Sequence, residues 1–331
     1  MTTITLDSPA TIMVIEGLTL PEAKPEFLEA ISAAAPAGST VRLAKGMRDA
    51  ASQAADVEVV FGIINEPLFA AAPGLRWVHA IASGVDSLLF PAFVDSDVIL
   101  TGEKGLVGGH LADTGWGLLL ALTRQIGTAL RLGPDAWSKR VDMRMKEVEL
   151  EGMTMGIIGF GGTGRAMAKR AVAFGMQTIA VDEFPSPGDH GVAEVWPASR
   201  LDDLLAQSDV VAICCPLTPE TNGLFNDATF AKMKPGAYVV NVTRGEIFDD
   251  GSVVRALESG QLGGLATDVA PGEPLPADHA LFHHPNVAMT PHTAGASQLR
   301  SIRNVNRFCD NLGRAQRGEP LDGVVDKKLG Y

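Results

Sequence analysis

Gly159, Gly161 and Gly164 stand at the spacing G-x-G-x-x-G within GIIGFGGTG (156–164), and Asp182 follows eighteen residues after the last of them. Around a pyrophosphate each glycine has its own use. The first permits a tight turn, the second lets the backbone approach the phosphates, and the third lets helix and strand pack closely. The N–H groups and positive dipole end of a following helix, RAMAKRAVAFG, attract the same phosphates. A carboxylate at the end of the next strand, TIAVD (178–182), can accept both hydroxyls of an adenine ribose. A lone glycine pattern is usually just a flexible loop. A strand before it, a helix after it and an acid at this distance make it a dinucleotide fingerprint.

Three further spots carry possible chemistry. Arg244, in NVTRGEIFDD (241–250), sits just past the strand AYVVNV, at the end where open α/β sheets bind ligands. From position alone it serves equally as a surface residue pairing with Glu246 or Asp249. Asp268 ends another strand, and Glu273 follows it in a Pro/Gly-rich loop that on its own would be a plain connector. His292, in VAMTPHTAGAS (287–297), follows the last strand, whereas His279, His283 and His284 lie in a polar loop. An Arg, a Glu and a His on three successive sheet-end loops supply an anion clamp, a tuner of the imidazole and a proton donor beside a nicotinamide.

These groups need strands and helices to hold them. Candidate strands in the first hundred residues are TIMVIE (11–16), VRLAK (41–45), VEVVFGI (57–63), RWVHAI (76–81) and VILTG (98–102), with helical stretches at PEFLEAISAAA and near Phe69. Such alternation means parallel βαβ units covered on both faces. HLADTGWGLLLALTRQIGTALR reads as one long helix, apolar nearly all round from Trp116 to Leu122 and therefore buried, between domains or between subunits. A second alternating run follows: MTMGIIG, TIAVD, DVVAICC, AYVVNV, GLATDV and VAMTP, six strands in all. The expected class is α/β, with a Rossmann dinucleotide-binding domain over 105–296 and a smaller, flavodoxin-like α/β substrate domain over 1–104, completed by 297–331.

Composition narrows the function. The 331 residues suit two domains, and a net charge of −12 argues against nucleic acid and anionic membranes as partners. An anionic substrate then needs a local positive site. Cys214, Cys215 and Cys309 form neither a disulfide framework nor a zinc pattern, which fits a reducing cytoplasm, and no metal is expected. The start lacks a basic, apolar leader, and no run has membrane-span length.

The motifs in order resemble the D-isomer-specific 2-hydroxyacid dehydrogenases over essentially the whole chain: GFGGTG with Asp182, CPLTPETNGLFN (215–226), MKPGAYVVNVTRGEIFDD (233–250), Asp268 followed by Glu273, and TPH at 290–292. ASGVDSLL (82–89) looks like the family's N-terminal substrate loop, with a likeness to glyoxylate/hydroxypyruvate reductases. The resemblance implies Arg244, Glu273 and His292 as the catalytic set and Asp268 as the contact of the nicotinamide amide. Ser83, Gly84 and Val85, with Arg244 and His292, would bind substrate. Gly162, Thr163, Pro216, Thr221, Val242 and Gly295 would join the fingerprint residues around NAD(H). The chain departs from the pattern at Thr163, at Thr293 and Ala294, at Cys214, and at Ala112-Asp113-Thr114.

The implied activity is an NAD(H)-dependent reduction of a small 2-ketoacid to its D-2-hydroxyacid, glyoxylate or hydroxypyruvate first. Asp182, with no Arg among Glu183, Phe184 and Pro185, favours NADH over NADPH. Formate dehydrogenase is the alternative enzyme, although that family has Gln beside its His. An NAD-sensing corepressor-like binding protein is the alternative outside catalysis. A homodimer packed through the nucleotide domains is expected from the apolar helix around Trp116–Leu122 and from the resemblance.

Overall fold

The computed structural model describes residues 2–331. It divides into two compact units, one comprising 1–107 with 296–331 and the other 108–295.

The first unit has five parallel strands, Thr11–Ile15 (β1), Thr40–Ala44 (β2), Val59–Gly62 (β3), Trp77–Ala80 (β4) and Ile99–Thr101 (β5), in the order β2-β1-β3-β4-β5. That is the flavodoxin-like order. Successive side chains of a strand point to opposite faces, and both faces here are apolar. Ile12, Val14, Val59, Phe61 and Trp77 pack on one side with Ile31, Phe308 and Leu312. Met13, Ile15, Val60, Val78 and Leu100 pack on the other with Leu68 and Phe93. The last helix, Arg300–Gln316, lies against helix Pro25–Ala34, so the unit is discontinuous in sequence.

The second unit is a seven-stranded parallel sheet: Thr154–Ile158 (β6), Gln177–Asp182 (β7), Val195–Pro197 (β8), Val210–Ile213 (β9), Ala237–Asn241 (β10), Leu262–Thr267 (β11) and Val287–Met289 (β12). Its order is β12-β11-β10-β9-β6-β7-β8. The order reverses between β6 and β9, which is the switch point where Rossmann sheets bind dinucleotides. The strands are near-continuous apolar runs, as burial on both faces requires.

Two sequence expectations need correction. A seventh strand, β8, joins the six expected from the sequence; it is three residues long and follows the turn-rich EFPSPGDHG, so it shows no period. The long helix is two helices, Gly108–Thr123 and Ile126–Leu132. Gln125 breaks it at φ 50°, and its backbone N–H and side-chain amide both turn back to the Leu122 carbonyl. Hydrophobic periodicity runs through that break unchanged and cannot show it.

Trp116, Leu118, Leu119 and Leu122 are buried against helix Gly162–Ala173 and strands β10 to β12 of the same unit. Five of the exposed apolar side chains follow within about twenty residues of Leu122: Ile126, Leu130, Trp137, Val141 and Met145.

Candidate active site

The glycine loop joins β6 to helix Gly162–Ala173. Gly159 has φ +88°, and a Cβ there would stand 2.6 Å from the Cys215 nitrogen. No other residue fits. A Cβ on Gly164 would run into the Gly159 carbonyl, so the helix packs tightly on the turn. At Gly161 a Cβ would meet nothing within 4 Å, leaving an open face beside the first N–H groups of the helix, those of Gly162 and Thr163. A concave turn of free amides at the positive end of a twelve-residue helix fits a pyrophosphate.

Asp182 ends β7 and is turned toward this loop. Its Oδ2 accepts the Phe160 N–H at 2.6 Å and its Oδ1 the Phe184 N–H at 2.9 Å. The carboxylate is thus oriented by backbone donors, and each oxygen keeps a lone pair for a ribose hydroxyl. Beyond β9, the Thr221 hydroxyl donates to the Pro216 carbonyl and accepts from the Thr218 N–H, each at 2.8 Å, which closes the 216–221 loop on itself. Cys215 is buried there, and burial pushes its thiol up to about 12, so it packs as a neutral side chain.

Arg244 follows β10 in extended conformation, φ −140° and ψ 135°. Buried Asn241 builds its turn. The Asn241 carbonyl oxygen of the side chain accepts from the Thr243 N–H at 2.9 Å and hydroxyl at 3.0 Å, and its amide donates to the Arg244 carbonyl at 2.8 Å. Gly245 lies so close to Ala270 that a Cβ would overlap the Ala270 carbonyl. The Arg244 turn is therefore pressed onto the loop that carries Glu273.

Glu273 is fixed at both carboxylate oxygens: Oε1 accepts the Ala270 N–H at 2.9 Å, and Oε2 lies 2.7 Å from His292 Nδ1. With Nδ1 donating to the carboxylate, Nε2 is left outward. His292 has φ +54°, a left-handed conformation that non-glycine residues seldom adopt. Asp268 enforces it. This carboxylate, 1% exposed, accepts from the Thr290 hydroxyl at 2.6 Å, the Thr293 N–H at 2.9 Å and the Ala294 N–H at 2.8 Å, while its carbonyl accepts the His292 N–H at 2.8 Å. Gly295 follows directly at the end of this turn.

The structure therefore gathers Arg244, Asp268, Glu273 and His292 in the carboxyl-end loops of three adjacent strands, with buried Val242 between β10 and Arg244. Ser83, Gly84 and Val85 lie in the first unit, after β4. Asn241, Gly245 and Thr290 stand inside the quoted motifs without a role assigned from sequence, although an Asn two residues before a Thr at a strand end is an Asx-turn signal. Among the described residues no cluster of three or more His, Cys, Asp or Glu could hold a metal ion. No helix among them is long and apolar enough to cross a membrane.

A doubly wound sheet with this loop constellation defines a nicotinamide-dinucleotide oxidoreductase architecture. Residues 116–294 match the family model described as D-isomer specific 2-hydroxyacid dehydrogenase, NAD binding domain. The chain belongs to the D-isomer specific 2-hydroxyacid dehydrogenase family. It is 31% identical over 296 residues to a hydroxypyruvate reductase of Blautia hydrogenotrophica, covering 85% of this chain and 88% of that one. It is 35% identical over 260 residues to the D-3-phosphoglycerate dehydrogenase of Rattus norvegicus, covering 77% of this chain but spanning only 47% of that protein. A D-isomer specific 2-hydroxyacid dehydrogenase from Xanthobacter autotrophicus Py2, solved with NADPH and MES, superposes with a TM-score of 0.81 at 26% identity, over 98% of this chain and 100% of that one.

Proposed function

We propose that the chain reduces a small 2-ketoacid to its D-2-hydroxyacid with NADH, glyoxylate or hydroxypyruvate being the first candidates. The observation that carries this reading is the Glu273–His292 pair at 2.7 Å, set in the same row of loops as Arg244. The glycine loop, with its open face at Gly161, suits the pyrophosphate, and Asp182 the adenine ribose.

When bound, the nicotinamide dinucleotide supplies the hydride that reaches the keto carbon. Arg244 forks onto the substrate carboxylate and keto oxygen, drawing charge toward the oxygen that becomes negative. Backbone N–H groups of Ser83, Gly84 and Val85 take part in holding the carboxylate. Protonated His292 gives the Nε2 proton to the keto oxygen, and Glu273 keeps the ring oriented for it. Asp268 keeps the His292 turn in place, and the family resemblance gives it the contact with the nicotinamide amide. Thr221, Pro216, Val242 and Gly295 line the cofactor's path by their position in the same loops.

NADH is favoured over NADPH because Asp182 would face a 2′-phosphate with its own charge, although the Xanthobacter structure holds NADPH. Three free cysteines suit the cytoplasm. The exposed side chains Ile126, Leu130, Trp137, Val141 and Met145 support a homodimer closed over them, which a doubled mass in solution scattering would bear out and a constant monomer mass would exclude. The decisive experiment for the activity is a panel of 2-ketoacids with NADH and NADPH, run beside formate with NAD. Turnover of no ketoacid would end the reading, and turnover of formate alone would replace it.

A further inference from the structure

Behind the loop that carries Ser83 lies a charge cluster that hydride transfer does not use. Glu103 follows β5, and its side chain is wholly buried. Four donors converge on its carboxylate. Arg300 donates from Nε to Oε1 at 2.7 Å and from a terminal nitrogen to Oε2 at 2.6 Å. The Asn304 amide donates to Oε1 at 2.7 Å, and the Ser83 hydroxyl to Oε2 at 3.3 Å. Arg300 and Asn304 stand one turn apart on the last helix, and the Arg300 side chain is 12% exposed.

Removing an ion pair from water costs about what its attraction returns, so stability alone is a poor reason for one here. The loop it supports gives a better reason. Ser83 is exposed, and among the described residues the backbone N–H groups of Ser83, Gly84 and Val85 have no hydrogen-bond partner. Such groups suit an anionic ligand only if the chain holding them is fixed. The residue before Glu103 is fixed too, since the Gly102 N–H donates to the Gly323 carbonyl at 2.9 Å.

We propose that Glu103, clamped by Arg300 and Asn304, is a positioning residue that holds the Ser83–Val85 loop for the substrate carboxylate by accepting a hydrogen bond from the Ser83 hydroxyl. The inference rests on the function proposed above. A hydrogen bond to a buried carboxylate is worth roughly tenfold in an equilibrium constant, which sets the expected effect.

The test is a double-mutant cycle of Glu103→Gln and Ser83→Ala, read as KM for the ketoacid, kcat, and Kd for NADH. Each single variant should raise KM about five- to tenfold and leave the NADH Kd within twofold. The double variant should be no worse than Glu103→Gln alone, because both break one link. Ser83→Thr should restore most of the KM. Penalties that multiply, or a Glu103→Gln variant that melts earlier with KM unchanged, overturn the proposal. If Glu103→Gln does not fold, Ser83→Ala, which leaves the ion pair intact, decides alone: an unchanged KM overturns the proposal. Failure of the wild type to reduce any ketoacid removes the functional reading and this inference together, whereas an active wild type with unaffected variants removes only the inference.

Discussion

Nδ1 of His292 lies 2.7 Å from Oε2 of Glu273, while Oε1 of the same carboxylate accepts the Ala270 N–H. One carboxylate thus fixes both the imidazole and the loop that Gly245 presses against. The ring can turn only by breaking a charge-assisted bond, so Nε2 keeps one direction. His292→Ala should lower kcat for ketoacid reduction on the order of a hundredfold or more while leaving the NADH Kd within a few-fold. Glu273→Gln, which keeps an acceptor but no charge, should lose less. Near wild-type turnover by His292→Ala at neutral pH would remove the histidine from the proton transfer.

Arg244→Lys should raise KM for the ketoacid and lower kcat together, since an ammonium cannot fork onto two oxygens. A combined loss on the order of a hundredfold in kcat/KM is expected. Steady-state kinetics showing a change in KM alone would leave Arg244 as a binding group without a part in the transition state.

Asp182 predicts the cofactor. The wild type should use NADH with kcat/KM on the order of a hundredfold above NADPH, as like charges meeting cost several kcal/mol. Asp182→Ser should narrow that ratio. The side chain also holds the Phe160 N–H, so the variant should weaken NADH binding as well. Equal efficiency of the wild type with both cofactors would refute the assignment.

Asp268→Ala should strand three donors, the Thr290 hydroxyl and the Thr293 and Ala294 amides. At about 1–3 kcal/mol for each unsatisfied group, a loss of roughly 3 kcal/mol or more is expected. Activity should fall further than stability accounts for, because the left-handed His292 turn is released. Denaturant unfolding that moves by less than about 1 kcal/mol would contradict this account.

His79 gives a pH dependence. Burial pushes its pKa from 6.5 down to about 3, and Nδ1 shares a hydrogen with the Thr101 hydroxyl at 2.9 Å. Between those values the unfolded chain binds a proton that the folded chain refuses. Stability is therefore complete above about pH 6.5 and is lost as pH falls toward 3, by up to about 1.4 kcal/mol per pH unit. His79→Phe, which can keep the stacking on Phe61, should show a shallower decline in unfolding free energy between pH 7 and 5. Equal slopes would show that the ring titrates normally.

Much of this was legible in the chain itself. The apolar runs that become β1 to β7 and β9 to β12, the glycine spacing and the acid ending TIAVD depend on local period and on contacts a few residues away. Arg244, Glu273 and His292 could be picked out because each follows a strand. What periodicity could not carry was decided in three dimensions. The three-residue β8 exists only because β7 offers it an edge, and Gln125 divides a helix whose apolar pattern is unbroken. Trp116, Leu118, Leu119 and Leu122 are buried within their own unit, while Ile126, Leu130, Trp137, Val141 and Met145 beyond them stay exposed. The partners of the Asp268 carboxylate, Thr290, Thr293 and Ala294, were set by folding, and Glu103 meets Arg300 across 197 residues of chain. Hydrogen-bond partners so far apart in sequence leave no local signature, because a carboxylate's partner is set by which strands and helices packing brings beside it.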